Sequence, residues 1–324
     1  MATAENAKLE YEAGQNAVAM SALTDSGDRT IFTSAASIWS GRSGYAPTVR
    51  PNGLLTGGAI TPAVTNNVVN VAALTCNLAG VVTSVAGAPV TITRPAGNVA
   101  KVISITVNSS GTLAAVAGTD GATTAFVETR GAAGGPPFIP VGSIEIGQVR
   151  VTSSTAAAVA ASEIFSVVGL HVERADFPLF DLDYTEGAAR FLAALPAIHT
   201  GSLPKGVYAS YASPIFGEVA LASDFVPPET SHSVSSTQIY GTTLGSTSST
   251  LGQGSFTAYL TNGISDGLIG LKNETLWFRF YPDRYQASYL LTQGKLGIAR
   301  TFPAGDQIQA ACTISASAAA VEVA

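Results

Sequence analysis

The stretch ETLWFRFYPDR, residues 274–284, contains the densest group of aromatic rings in the chain. Successive side chains of a β-strand point to opposite faces, so a strand here sorts its large side chains into two sets. The first set is Leu276, Phe278 and Phe280, and the second is Trp277, Arg279 and Tyr281. We expect the first set to fill a core. The second has the composition that is enriched where protein surfaces meet, so we expect it to contact a neighbouring subunit, unless it lies under a helix of its own domain.

The composition limits the functions that the chain can have. Its 324 residues suffice for about two domains. Charged residues make up 12% of the chain, against about 25% in an average soluble protein. The surface is therefore expected to consist of Ser, Thr, Asn and Gly, or to be buried against other copies. The formal net charge of -6 disfavours nucleic-acid binding through phosphate neutralisation, which needs a basic surface.

Signals for export, membrane insertion and cross-linking are weak. Glu5, Lys8 and Glu10 interrupt the region where a signal peptide needs an apolar run, so we expect no secretion by that route. The apolar windows are shorter than the roughly 20 residues of a membrane span, and we expect no membrane anchor. Cys76 and Cys312 lie far apart without a CxxC spacing, so we expect both to be small buried hydrophobic residues.

Changes in local composition predict three segments. Residues 1–60 are expected to form an arm, with a helix near Ala4–Ala22 followed by an extended path. Residues 61–170 alternate short Val, Ile and Thr runs with Gly, Pro and Asn turns, which predicts an additional all-β sandwich domain. Residues 171–324 hold most of the aromatic rings and are expected to form the second domain, with a boundary near residue 170.

Two stretches of the third segment bear on its fold and assembly. YTEGAARFLAALPAI has apolar residues at helical spacing, which predicts a short helix from Thr185 to Leu195. Residues 241–254 are almost wholly Gly, Ser and Thr. They can bury little apolar surface, so we expect them to be mobile in an isolated subunit. The predicted fold class is mainly β, with a flanking short helix.

Catalytic signals are sparse. The chain has three histidines, and it contains no HExxH, Walker A or complete GxGxxG pattern. Asp181 and Asp183 would share a strand face, but we expect them to be solvated residues and not a general acid and base. No Cys, Asp or Glu cluster accompanies His232, so no metal site is predicted. We therefore expect a protein that is not an enzyme and has no cofactor.

The C-terminal third resembles the major tail tube proteins of long-tailed, siphovirus-type bacteriophages. The likeness rests on SPIFGEVALASDFVPPETSHSVSSTQIYGTTLG (213–245), GSFTAYLTNGISDGLIGLKNETLWFRFYPDR (254–284) and QGKLGIARTFPAGDQIQAACTISASAAAVEV (293–323). The resemblance implies a β-sandwich or barrel with a flanking helix, related in fold to type VI secretion tube proteins. In that family the subunits form stacked hexameric rings, and a hairpin loop and an N-terminal arm bridge successive rings.

The resemblance implies two contact surfaces on this chain. Residues 241–254 would match the inter-ring loop, residues 1–60 the arm, and ISDGLIGL (264–271) part of the helical segment. The implied stacking residues are Gly241, Thr243, Leu244, Ser246, Ser248, Leu251 and Gly254. The implied contacts within a ring are Trp277, Arg279 and Tyr281.

The resemblance also implies partners and a location. The chain would polymerise with itself, as a hexamer or as a trimer of two-domain chains, into a virion tail tube that is assembled in the host cytoplasm. Tape measure, distal tail and terminator proteins would contact this tube, and genomic DNA would pass through it without specific binding. The mild acidity suits such a channel, because fixed positive charge would bind phosphate. The segment 61–170 would be a decoration domain or a second tube-like domain.

Two other functions stay open. A virion decoration or receptor-binding protein would use the segment 61–170 to bind a surface glycan. Aromatic platforms would then be expected, yet that segment has only three rings: Phe126, Phe138 and Phe165. An enzyme would need acids and a histidine that converge in one pocket, and the two aspartates and His232 are the groups to test.

Overall fold

The chain folds almost wholly into antiparallel β-strands. The computed structural model describes residues 5–324, apart from the side chain of Thr243. Within the described residues there are β-strands and two short 3-10 turns but no α-helix. The predicted mainly-β fold class is confirmed, and the predicted flanking helix is wrong. No helix in this range is long and apolar enough to cross a membrane.

The strands have the following bounds in chain order. The first thirteen are β1 (Lys8–Ala22), β2 (Thr24–Asp25), β3 (Ile31–Thr33), β4 (Thr48–Pro51), β5 (Gly53–Gly57), β6 (Ile60–Pro62), β7 (Val68–Val71), β8 (Leu74–Leu78), β9 (Val81–Val85), β10 (Ala88–Thr91), β11 (Lys101–Val107), β12 (Leu113–Ala117) and β13 (Ile144–Val151). The others are β14 (Ile164–Phe165), β15 (Phe180–Asp183), β16 (Ala188–Phe191), β17 (Val207–Glu218), β18 (Ala222–Val226), β19 (Thr230–Ile239), β20 (Thr242–Leu251), β21 (Gly254–Tyr259), β22 (Thr275–Tyr281), β23 (Tyr289–Thr301), β24 (Gln309–Ala316) and β25 (Val321–Val323). The 3-10 turns are Ala161–Glu163 and Ile269–Leu271.

Contacts between residues divide the chain into two compact units. The first unit contains the residues up to Val18, Ile38–Pro47 and Tyr211–Ala324. The second unit contains Ala19–Ser37 and Thr48–Ser210. Each unit therefore draws on more than one stretch of the chain.

These units follow different boundaries from the three predicted segments. Most of β1, which belongs to the predicted arm, is part of the first unit, and residues 171–210 belong to the second. Residues 1–4 of the predicted arm lie outside the described residues.

The first unit is built on one large antiparallel sheet. Its strands follow the order β18, β21, β24, β23, β22, β1 and β17, and β25 also pairs with β23. Leu276 and Phe278 of β22 are fully buried in its core, together with Phe256 and Leu296, and Phe280 packs against this cluster. The face that the alternation of residues 276–280 assigns to the core is therefore the core face.

The second unit contains several smaller antiparallel sheets. One has the order β12, β11, β13, β14 and another the order β15, β16, β3, β2. The strands β10, β7 and β6 form a third sheet, and β5, β8 and β9 a fourth. Buried Val, Ile and Leu side chains of the first, third and fourth of these sheets, among them Val69, Ile103 and Ile144, form one hydrophobic cluster that also contains Cys76.

Both predicted helices are wrong. The predicted helix Ala4–Ala22 is strand β1 from Lys8 onward, and Ala4 lies outside the described residues. Leu9 and Tyr11 of β1 both pack on the core, at the two-residue spacing of a strand. Because this segment pairs with β22, it is a strand despite its local helix propensity. The predicted helix Thr185–Leu195 contains a turn and strand β16, which is paired on both sides. ISDGLIGL (264–271) contributes only a single 3-10 turn.

The burial of Leu296 predicts a large loss of stability on truncation. Leu296→Ala should lower the free energy of unfolding by about 2–5 kcal/mol, because it leaves a cavity in the core. Both tryptophans, Trp39 and Trp277, lie in the first unit, so tryptophan fluorescence in a urea titration follows its unfolding. Leu221, which is 57% exposed in the same unit, gives the matched control Leu221→Ala, with a change within about 0.5 kcal/mol. Equal losses for the two variants would contradict this core assignment.

Candidate assembly surfaces

The strands β19 and β20 form a two-stranded hairpin. Their register runs from Thr230 opposite Leu251 to Ile239 opposite Thr242, and Tyr240 and Gly241 connect them. Gly241 has φ +82°, a conformation that glycine adopts without strain. Ten residues per strand at about 3.3 Å per residue give the hairpin a length of roughly 33 Å. The predicted loop 241–254 is thus mostly strand, and its mobility in an isolated subunit stays a prediction.

The hairpin keeps its register through hydroxyl groups and not through a core. All residues of β19 are exposed. On one face the Oγ atoms of Ser233 and Ser248 are 2.7 Å apart, as are those of Ser235 and Ser246. Cross-strand hydroxyl pairs of this kind each add a fraction of a kcal/mol to sheet stability. The backbone ladder and these pairs are therefore the contacts that set the register of the two strands.

The far end of the hairpin is apolar and exposed. Leu244 is 62% exposed, Tyr240 is fully exposed, and Ile239 is also exposed. Ile239 and Leu244 lie diagonally across the two strands on the same face, where large side chains can reach each other. We call Ile239, Tyr240 and Leu244 the hairpin tip. Burial of a leucine or isoleucine side chain stabilises by about 1.5–3 kcal/mol, so contact with an apolar partner surface would stabilise the tip.

The predicted stacking residues differ in their position along the hairpin and in their exposure. Gly241 lies in the turn, Leu244, Ser246 and Ser248 are exposed on one face of β20, and Leu251 is partly exposed at its base. Thr243 is a strand residue whose side chain is outside the description. Gly254 is buried at the start of β21, where an added Cβ would lie 3.0 Å from Pro228 and 3.2 Å from Ile314. Gly254 therefore has no free surface for a stacking contact.

Trp277 is covered by its own chain. Only 3% of the residue is exposed, and its indole Nε1 donates a 2.8 Å hydrogen bond to the carbonyl of Trp39. Its backbone N–H donates to Oε2 of the fully buried Glu12, whose Oε1 accepts from the Ser40 hydroxyl. A contact with a neighbouring subunit needs exposed indole surface, and this indole is buried with its N–H bound to the Trp39 carbonyl. Trp277 therefore does not belong to the candidate contact surface.

Arg279 and Tyr281 keep exposed surface within a cluster of rings and cations. The Arg279 guanidinium lies 3.7 Å from the ring centroid of Phe216 and 5.1 Å from that of Tyr289. The rings of Tyr281 and Tyr289 are 5.1 Å apart, and Lys8 Nζ lies 4.5 Å from the Tyr281 ring. All five residues are partly exposed, and we call them the outer aromatic patch. Tyr and Arg are the residue types that most often dominate binding energy at interfaces.

Groups with catalytic potential do not converge on these surfaces. His232 is an exposed strand residue of the hairpin, and Asp183 holds Arg190 Nε at 2.8 Å in the second unit. A GxSxG pattern at residues 263–267 lies in a loop, not at a strand-to-helix turn as a nucleophile would. There Asp266 accepts backbone N–H groups of its own loop. No group of His, Cys, Asp and Glu among the described residues is arranged to hold a metal ion.

No protein-family model matches the chain, and no curated protein is similar to it in sequence.

The contacts of Trp277 and Arg279 predict unequal effects of truncation. Trp277→Ala should lower the free energy of unfolding by about 3–5 kcal/mol, because it empties a buried site. Arg279→Ala should cost about 0.5–2 kcal/mol, the range of a cation–π contact. Urea titrations followed by far-UV circular dichroism measure both without relying on the removed indole. A smaller loss for Trp277→Ala than for Arg279→Ala would show that the indole is not a core group.

Proposed function

We propose that this chain is a structural subunit that polymerises into rings stacked as a tube, of the type found in the tails of long-tailed bacteriophages. The observation that carries the proposal is the hairpin Thr230–Leu251 with its exposed apolar tip. The resemblance of residues 213–323 to tail tube proteins supports it, because the hairpin falls where that family has its inter-ring loop.

The hairpin has the properties of an element made for a second copy. A lone two-stranded hairpin is at best marginally stable in water, and unpaired strand edges favour pairing with another chain. Within the described residues β19 and β20 pair only with each other. Covering their edges and burying the tip would stabilise the hairpin. A neighbouring ring offers such a surface at a fixed distance in every repeat of a tube.

The outer aromatic patch fits the contact between subunits of one ring. Arg279 and Tyr281 have both exposed surface and a supporting layer of Phe216 and Tyr289, so their side chains are already held in place before binding. Preorganised side chains lose less conformational entropy on association. The low charge content of the chain, 12%, is consistent with a surface that is largely covered by other copies.

Other features of the proposal follow from the tube type. The rings would be hexamers of single tube domains or trimers of two-domain chains, and other tail proteins would bind the ends and the lumen. DNA would pass through the channel without specific binding. The assembled tube would be part of the virion tail.

The proposal predicts that removing the apolar tip blocks stacking. Tyr240→Ser with Leu244→Ser should leave a folded chain, because both side chains are exposed, but it should stop growth beyond a single ring. The measurement is mass by light scattering with negative-stain electron microscopy over rising protein concentration. Wild type should form rings and then hollow filaments.

The matched control changes the same residue types elsewhere in the first unit. Tyr285→Ser with Leu221→Ser alters two exposed side chains outside the hairpin and should assemble as wild type does. Unchanged filament growth of the tip variant would refute the stacking role of the hairpin. A wild type that stays as discrete monomers or trimers at all concentrations would refute the tube and favour a decoration or receptor-binding protein.

A further inference from the structure

The second unit contains a partly open cavity of about 190 Å³ beside strand β13. Its lining combines buried charged groups with an apolar mouth, a combination that is common in small-molecule sites. The polar lining includes Glu128, Arg130, Glu145, Arg150, His171 and Glu173. The apolar lining includes Leu170, Phe177, Pro178 and Ile198.

A β-bulge explains why so many polar side chains of β13 face the same side. Opposite the step from Ile105 to Thr106 of β11, β13 has one extra residue, Ile146. A bulge of this kind shifts the alternation of side chains by one residue. Ile144, Ile146, Val149 and Val151 consequently join the hydrophobic cluster, whereas Glu145, Gln148 and Arg150 line the cavity.

Most of these polar groups are paired with each other. Arg150 binds Glu128 through two hydrogen bonds of 2.6 and 2.9 Å, and Arg130 Nη2 lies 2.5 Å from Glu145 Oε2. Gln148 Nε2 donates to Glu145 Oε1 at 3.1 Å. Only 8% of Arg150 is exposed, and its pairing with Glu128 holds the buried guanidinium in one orientation.

One donor of this network lacks an acceptor, and a second donor faces another N–H group. Arg150 Nε is buried without a hydrogen-bond partner. His171 Nδ1 accepts the backbone N–H of Val167 at 3.2 Å, so the neutral ring carries its proton on Nε2. This Nε2 lies 3.3 Å from Arg150 Nη2, and two N–H groups cannot bond each other. A bound anion would accept hydrogen bonds from both groups and remove this unfavourable arrangement.

The cavity lining also contains Lys205 and Glu173. Lys205 is buried, and its Nζ donates to the carbonyls of Arg174 and Phe177 at 2.6 and 2.8 Å. Burial lowers the pKa of Lys205, and burial raises the pKa of Glu173, the carboxyl that acts on it most strongly. Burial and the Arg150 charge lower the pKa of His171, which keeps its ring neutral near pH 7.

The mouth of the cavity is apolar. Leu170 is 61% exposed, and Phe177 is exposed beside it. Gly169 has φ +78°, and a Cβ there would lie 2.3 Å from the Phe177 ring, so the loop touches that ring through its backbone. A cavity of about 150 Å³ holds benzene, so about 190 Å³ has room for a six-membered ring with a carboxylate.

We propose that this cavity binds a small monocarboxylate with an apolar ring or chain. Its carboxylate accepts hydrogen bonds from Arg150 Nε and His171 Nε2, and its apolar body lies towards Leu170 and Phe177. Binding of this ligand is independent of the tube proposal, because every residue involved belongs to the second unit.

Isothermal titration calorimetry of the full chain tests the site with three probes: benzoate, cyclohexanecarboxylate and hexanoate. Benzamide is the neutral control, and acetate is the anion without an apolar body. At least one of the three probes should bind in a saturable manner with one site per chain, at least about tenfold more tightly than both controls. If none of them exceeds the two controls, the proposal is overturned.

Two variants locate the binding. Arg150→Lys keeps the positive charge but removes Nε. It should lower the affinity for the carboxylate probe that binds the wild type by at least about tenfold. Its control is Arg94→Lys, another arginine of the second unit with side-chain hydrogen bonds to Asn67 and Ala157. Leu170→Asp, at an exposed position that does not endanger folding, should weaken binding through repulsion at the mouth. A carboxylate affinity unchanged in Leu170→Asp, or lowered equally by Arg94→Lys and Arg150→Lys, would overturn the placement.

Discussion

The pairing of β1 with β22 is the constraint on which the rest of the first unit depends. It aligns Glu10 with Arg279 and Tyr11 with Phe278, residues from opposite ends of the chain. The buried carboxylate of Glu12 then accepts hydrogen bonds from the Trp277 backbone and from the side chains of Ser40 and Gln15. A buried carboxylate is costly unless several donors satisfy it, so this one side chain fixes β1, β22 and the segment 38–47 in one arrangement.

The same arrangement separates the two faces of β22 and decides which of them can meet a partner. Phe278 and its neighbours fill the core on one side. On the other side the segment 38–47 covers Trp277 but leaves Arg279 and Tyr281 partly exposed beside Phe216 and Tyr289. The available contact surface is therefore narrower than the aromatic content of residues 274–284 suggests.

The sequence was sufficient where local alternation and burial agree, and insufficient where distant segments meet. The core face of β22 and the mainly-β class followed from period-two patterns. The β1 segment and Thr185–Leu195 are predicted as helices, whereas β22, which pairs with β1, and β3, which pairs with β16, lie far away in the chain. Burial of Trp277 depends on the segment 38–47, and the cavity depends on a bulge in β13 together with His171. No spacing rule links such groups before the chain folds.

The central claim is that the hairpin Thr230–Leu251 joins successive rings of identical subunits. Cryo-electron microscopy of particles assembled from the purified chain tests it most directly, since the position of the hairpin is seen relative to each neighbour. The account predicts a hollow tube in which Tyr240 and Leu244 of every subunit are buried against the next ring. A tube whose hairpins point into solvent, or an assembly without stacked rings, would contradict it.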